Sequence, residues 1–272
     1  MKKLFTLGVL CSLILSSCQE SVKEHIVSDS KKEASVIMHE EYTKPEPTTP
    51  EETEYYSPKV PVVGAALNGS APSDAIVLFN GSSLENWIHV QDSTAASWHL
   101  NNDGSMTVAD KTGDIRTKQE FGDVQLHIEW KSPLPVQRKG QHRGNSGVFL
   151  NGMYEVQVLD NNNNDTYVNG QVGAIYKQSP PLAMASVPTG EWNVYDIIYH
   201  APKFNEDGGK IKSGTLTVLH NGVVIQDHTE IKGTTPYIGW PKNPAHGKGP
   251  LLLQDHGDNS RVSYRNIWVR EL

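Results

Sequence analysis

From about Asp74 onward, apolar and polar residues alternate in short runs separated by clusters of Gly, Asn, Asp and Pro. The clearest runs are Asp123 to Lys131, Gly147 to Leu150, Tyr154 to Leu159, Trp192 to His200, Thr215 to Leu219, Val223 to Gln226, Leu251 to Gln254 and Arg261 to Val269. Period-two alternation of this kind predicts half-buried strands. His220-Asn221-Gly222 carries the Asn-Gly signal of a two-residue hairpin. No long stretch has helical periodicity, so the pattern predicts an all-β domain: a concanavalin A-like jelly-roll sandwich of two antiparallel sheets, one bent to make a concave face.

The stretch GNSGVFLNGMYEVQVLD, Gly144 to Asp160, places ionisable and amide side chains on two such runs joined by a tight turn. In its second run Glu155 and Gln157 project to one side of the sheet, and Tyr154, Val156 and Val158 to the other. That polar side reads as the floor of a cleft; the plainer reading is a solvated outer face. Asp160 breaks the parity and joins Glu155 and Gln157 only through a β-bulge near Val158 or Leu159.

The first residues bear on location. Lys2 and Lys3 precede the apolar run Leu4 to Leu15, long enough for a signal segment and too short to cross a bilayer. Leu15-Ser16-Ser17-Cys18 follows and looks like a bacterial lipobox, in which Cys18 is acylated after cleavage. Cys11 and Cys18 are the only cysteines, so the mature chain has no disulfide, thiolate metal site or Cys nucleophile. The expected location is the cell envelope, lipid-anchored to a bacterial membrane at its periplasmic or outer surface. Residues 19–73, with KPEPTTPEETE at their centre, are too polar to form a core and predict a disordered tether, although Val60 to Leu67 offers an apolar docking island. The domains are therefore expected at 1–18, 19–73 and 74–272.

The net charge of -7 and scattered Lys and Arg disfavour nucleic acid as a partner. Six Trp beside many Asn, Asp, Gln and His suit a carbohydrate, whose rings stack on indole and whose hydroxyls meet amides and carboxylates. Trp87 and Trp268, in apolar strand contexts, are assigned to the core. Trp240, in TTPYIGWPKNPAHGKGP, is assigned to a cleft rim.

The strings HIEWK, GNSGVFL, YEVQVLD, GAIYKQSPP, GEWNVYDIIYHAP, TVLHNGVVI and GPLLLQDHG, closing with VSYRNIWVREL, resemble the 3-keto-disaccharide hydrolase family, common in lipoproteins of gut Bacteroidota. The resemblance spans roughly Ala75 to Leu272. It implies a jelly roll that cleaves glycosides whose sugar carries a ketone at C3. Such a ketone acidifies the C2 proton, so a base can remove it, the enediolate expels the aglycone from C1, and water adds back or does not. That chemistry needs a base, groups to hold the enediolate oxygen and an acid for the leaving group. The titratable candidates are Glu155, Glu129, Asp160, His142 and His256, with Glu155, Glu129, Asp160 and His256 the catalytic set. His142, Arg143, Asn145, Gln157, Gln254 and Trp240 are the substrate-binding set.

The run around Glu155 also resembles the E-x-D-x-x-E strand of β-glucanases, but Gln157 and Asp160 replace its later acids, which weakens a double-displacement mechanism. Asp255 either fixes the tautomer of His256 or caps the turn with Gln254. No ligand spacing supports a metal, and a divalent ion is left open as the one conceivable cofactor. Two other readings remain: a non-catalytic carbohydrate-binding jelly-roll lipoprotein, and a β-glucanase-like hydrolase of unoxidised glycans.

Overall fold

The structure, a computed structural model, describes residues 45–272. The expected signal segment, Cys18 and the expected tether up to residue 44 lie outside the described residues. The chain divides into two compact units, one ending at Pro61 and one running Val62–Leu272. The described part of the first has a single 3-10 turn, Pro50–Thr53, with no buried residue.

The second unit is built from strands β1 (Ile76–Phe79), β2 (Trp87–His89), β3 (His99–Leu100), β4 (Met106–Thr107), β5 (Ile115–Phe121), β6 (Val124–Lys131), β7 (Ser146–Leu150), β8 (Tyr154–Val158), β9 (Asn193–His200), β10 (Lys203–Phe204), β11 (Lys210–Lys212), β12 (Thr215–His220), β13 (Val223–Glu230), β14 (Gly249–Leu253) and β15 (Ser263–Glu271). The larger sheet has eight strands, ordered β13-β12-β9-β6-β15-β4-β3 with β1 also on β15. The smaller has five, ordered β2-β5-β14-β7-β8, and β10 with β11 forms a separate hairpin. Every pairing is antiparallel, and the unit is a jelly-roll sandwich.

Alternation along the strands explains how the sheets meet. On β6 the even positions Val124, Leu126, Ile128 and Trp130 are core residues, and on β8 the core takes Tyr154, Val156 and Val158. Leu251 and Leu253 of β14 and Val148 and Leu150 of β7 complete the facing layer. Each such side chain contributes about 1.5–3 kcal/mol on burial, so the register that buries all of them together is strongly fixed. Asn221 and Gly222 both have positive φ, 51° and 80°, which is why Asn-Gly connects β12 to β13.

Three features go beyond the sequence pattern. β5 is a full strand although its IRTKQEF sequence shows little alternation; three consecutive residues are exposed where it runs out along the sheet. Trp87 is in the core cluster between the sheets; Trp268 is buried as well but lies outside that cluster. It is buried on the outer face of the larger sheet, stacked on His127 at 5.1 Å, with its Nε1 donating to Gly69 O at 3.1 Å. Asn266 Nδ2 donates to the same oxygen at 2.8 Å. Residues 62–73 fall in the same compact unit as the sandwich, where Gly69 covers an indole that the sandwich leaves outside.

Candidate active site

The face of β7 and β8 turned away from the core carries Gly147, Phe149, Glu155 and Gln157, with Gly147 opposite Gln157 and Phe149 opposite Glu155. Gly147 is required here: a Cβ at this position would stand 2.6 Å from Glu155 Oε1 and 2.6 Å from Phe149 Cε2. Residues 173–176 run beside β8, with Gly173 N donating to Gln157 O at 2.9 Å and Tyr176 N to Glu155 O at 3.1 Å. Thr235 Oγ1 accepts from Glu155 N at 3.2 Å, which ties the loop after β13 to the same strand.

Between these walls lies a cavity of about 140 Å³. Glu155, Gln157 and Asn145 form one side, Gln254 and His256 at the end of β14 another, and Tyr176 and Tyr237 reach over from the loops. Gln157 Nε2 donates to Asn145 Oδ1 at 2.9 Å, and Asn145 Nδ2 donates to Gln141 O at 2.6 Å, so the Gln157 amide is held in one orientation. Its Oε1 is buried with no donor, and so is Gln254 Oε1. Buried acceptors without donors are rare, and two lining one cavity make a site for a ligand rich in hydroxyls.

Glu155 is the sole carboxylate lining this cavity, and no hydrogen bond from a protein donor reaches it among the described residues. Burial pushes its pKa up to about 8, with the charge of Asp114 adding to the effect. Asp114 is itself raised by burial and accepts from Asp255 N at 2.8 Å. The arrangement keeps the Glu155 proton exchangeable near neutral pH, as a general acid-base group requires.

A second cluster begins at His256. Its Nδ1 stands 2.9 Å from Asp258 Oδ2, and His142 Nδ1 stands 3.1 Å from the same oxygen. These three residues offer one ligand atom each, all within 4.8 Å of one another. Asp255 takes no part: its carboxylate accepts from Gly113 N and Gly257 N, so it caps the turn and does not set the His256 tautomer.

Glu155, Gln157, Asn145, Gln254 and His256 therefore meet in one cavity, and the other candidates do not. Asp160 follows β8 without a bulge in the β7 register. It is an anchor, with Oδ2 accepting from Arg143 Nε at 2.9 Å and both oxygens contacted by Thr189 Oγ1. Arg143 is consumed by the same pair, so neither is available to a sugar. Glu129 is on the larger sheet, in a separate groove of about 620 Å³ with His127, Asp196 and Arg265. Burial alone would raise Glu129, but His127, Asn266 and Arg265 overcome that and hold it down at about 2. Burial likewise opposes protonation of His127, yet Asp196 and Glu129 raise it to about 9.

These charges are paired, and both Arg265 and Lys131 lie over the Trp192 ring, at 4.2 and 4.4 Å. Although wider, this groove offers a substrate neither an available base nor a free indole face. Trp240 is exposed beside an annex of about 370 Å³ that shares Tyr176 with the Glu155 cavity, rather than on the cavity's own rim. Sequence reasoning missed Asp258 and Asp114. Asp258 stands two residues beyond His256, a spacing with no motif of its own, and Asp114 precedes the unrecognised strand β5.

An antiparallel jelly roll with one buried carboxylate among carbohydrate-type polar groups on its smaller sheet defines a glycosyl-hydrolase-like domain. Residues 74–270 match the 3-keto-alpha-glucoside-1,2-lyase-like domain, and the chain belongs to that family. It is similar to a solved structure of a candidate glycosyl hydrolase from Parabacteroides distasonis, with 56% identity over 85% of this chain and 99% of that one, at a TM-score of 0.80. A second candidate glycosyl hydrolase from the same organism shares the fold at 20% identity, covering 73% of this chain and 94% of that one, with a TM-score of 0.53. None of the curated proteins matches the chain.

Proposed function

We propose that this chain is an exported, lipid-anchored enzyme of the cell envelope that cleaves 3-keto-glycosides by removing the C2 proton and eliminating the aglycone. The observation that carries the reading is Glu155: a lone carboxylate, its pKa raised by burial, in a cavity lined with acceptors that lack donors. Ordinary glycosidases work with two carboxylates flanking the scissile bond. One carboxylate facing an imidazole suits α-proton abstraction and elimination better.

In the proposed reaction Glu155 accepts the C2 proton and the electron pair of that C–H bond becomes the C1–C2 double bond. The C1–O bond breaks toward the leaving oxygen, which takes a proton from His256. Gln157 Oε1 and Gln254 Oε1 accept from sugar hydroxyls and so orient the ring. Water entering across the double bond converts the lyase outcome into net hydrolysis, with the same residues returning the protons.

Feeding 3-keto and unoxidised disaccharides in parallel tests this. Cleavage of the oxidised sugar alone is expected, with deuterium appearing at C2 in deuterated water. Cleavage of the unoxidised sugar would favour a glucanase-like hydrolase, and binding without turnover a carbohydrate-binding module.

A further inference from the structure

We infer that His142, His256 and Asp258 form a binding site for a divalent first-row transition-metal ion at the edge of the Glu155 cavity. Ligand atoms about 2.1 Å from one ion stand about 3.0–3.4 Å apart for octahedral or tetrahedral geometry. The two edges at Asp258 Oδ2, 2.9 Å to His256 Nδ1 and 3.1 Å to His142 Nδ1, match the octahedral end of that span.

Hydrogen bonding explains the cluster less well. Both imidazoles converge on a single oxygen while Asp258 Oδ1 is buried without a partner. His256 Nδ1 is close to Asp258, yet it is not aligned as a hydrogen bond and counts as buried and unpartnered. A lone pair on each nitrogen directed at a shared ion satisfies both facts. Arg138 Nη1, 3.7 Å from Asp258 Oδ2, is the nearby cation that partly balances the carboxylate when the site is empty.

Two imidazoles and one carboxylate suit manganese, iron, cobalt or zinc, and three protein ligands leave positions for water or for sugar oxygens. His142 is largely exposed, so an ion has a path in. His256 belongs both to this triad and to the wall that faces Glu155. The role that follows rests on the reading of the cavity as a 3-keto-glycoside site. The ion takes the C3 oxygen, and its positive charge stabilises the enediolate formed when Glu155 removes the C2 proton. With His256 Nδ1 on the metal, its Nε2 remains to serve the leaving group.

The test uses the full chain, stripped with EDTA and dialysed, and titrated calorimetrically with manganese and zinc chlorides. One ion per chain is expected. His142→Ala and Asp258→Asn should weaken binding by about 100-fold or more, since even outer-shell partners are worth 10- to 100-fold. His99→Ala, exposed on β3, should bind like the parent. The exposed position of His142 makes its variant safe to fold, and circular dichroism checks this. Cobalt loading should give an imidazole-type visible spectrum that His142→Ala alters.

No binding by the parent, or unchanged binding by both triad variants, overturns the site. Turnover of a 3-keto disaccharide separates the two proposals. Ion binding at the triad without any cleavage supports the site and sinks the enzyme reading. Full cleavage by ion-free protein that binds no ion keeps the enzyme reading and sinks the site.

Discussion

At the scale of single residues, the decisive feature is a carboxyl held where water cannot solvate its charge. Because the Glu155 pKa is raised by folding, from 4.5 to about 8, its ionisation opposes folding; the penalty grows as pH rises from 4.5 and levels off above 8. Glu155→Gln should therefore be more stable than the parent at pH 8 and above, by on the order of a few kcal/mol, and so melt higher there, converging with it near pH 4.5. The same variant should lose roughly 100- to 10,000-fold in turnover of a 3-keto substrate. Parent turnover should climb with pH through about 8, as the base form fills. A flat melting difference across pH would mean that the carboxyl is solvated.

Gly147→Ala tests the same carboxyl from across the strand pair. Its new methyl group would collide with Glu155 Oε1 and the Phe149 ring, so turnover should fall sharply even though no ionisable group is altered. Unchanged turnover would mean that Glu155 does not work from the position seen. Arg143→Met, by contrast, leaves the buried Asp160 carboxylate without its cation. It should cost about 3–5 kcal/mol of stability, read by denaturant unfolding, with turnover of the folded fraction retained.

At the scale of elements, much was legible because strand parity is rigid. Glu155 and Gln157 share a face, opposite Tyr154, Val156 and Val158, simply because the side-chain period is two. Parity stops being informative where the strand stops. Asp160 lies beyond β8, where the chain turns to let Asp160 N donate to Arg143 O, and its direction is set by that tertiary contact. Glu129 is legible as a strand residue, but which sheet β6 joins depends on pairings with β9 and β15, distant in sequence. Trp268 sits in an apolar run and still faces outward, because burial there is supplied by Gly69 and not by the opposite sheet. A chain beginning at Asp74 loses that cover and two hydrogen bonds, each worth about 1 kcal/mol net. Since 1 kcal/mol is about 2–4 °C for a domain of this size, it should melt roughly 5 °C lower than one beginning at Val62, with a red-shifted tryptophan emission. Equal melting would mean that residues 62–73 add nothing to the stability of the sandwich.

At the scale of the whole molecule, the folded unit and the first residues ask for different surroundings. The jelly roll has its cavity on the outer face of its smaller sheet, a position from which a soluble oligosaccharide can enter, and nothing in its described residues is a helix long and apolar enough to cross a membrane. The attachment expected from Leu15-Ser16-Ser17-Cys18 would act through lipid on Cys18, and a single acyl chain gives only marginal binding, so stable anchoring takes more than one chain. Anchoring and catalysis should then be separable. Cys18→Ser should move the protein from the membrane fraction to the soluble fraction and abolish incorporation of labelled fatty acid, while turnover of a 3-keto disaccharide per folded molecule stays that of the parent. Persistent membrane association without acyl label would place the attachment elsewhere in the chain. A loss of turnover on release would show that the bilayer helps to form or feed the cavity, and the picture of an independent domain on a passive tether would have to be given up.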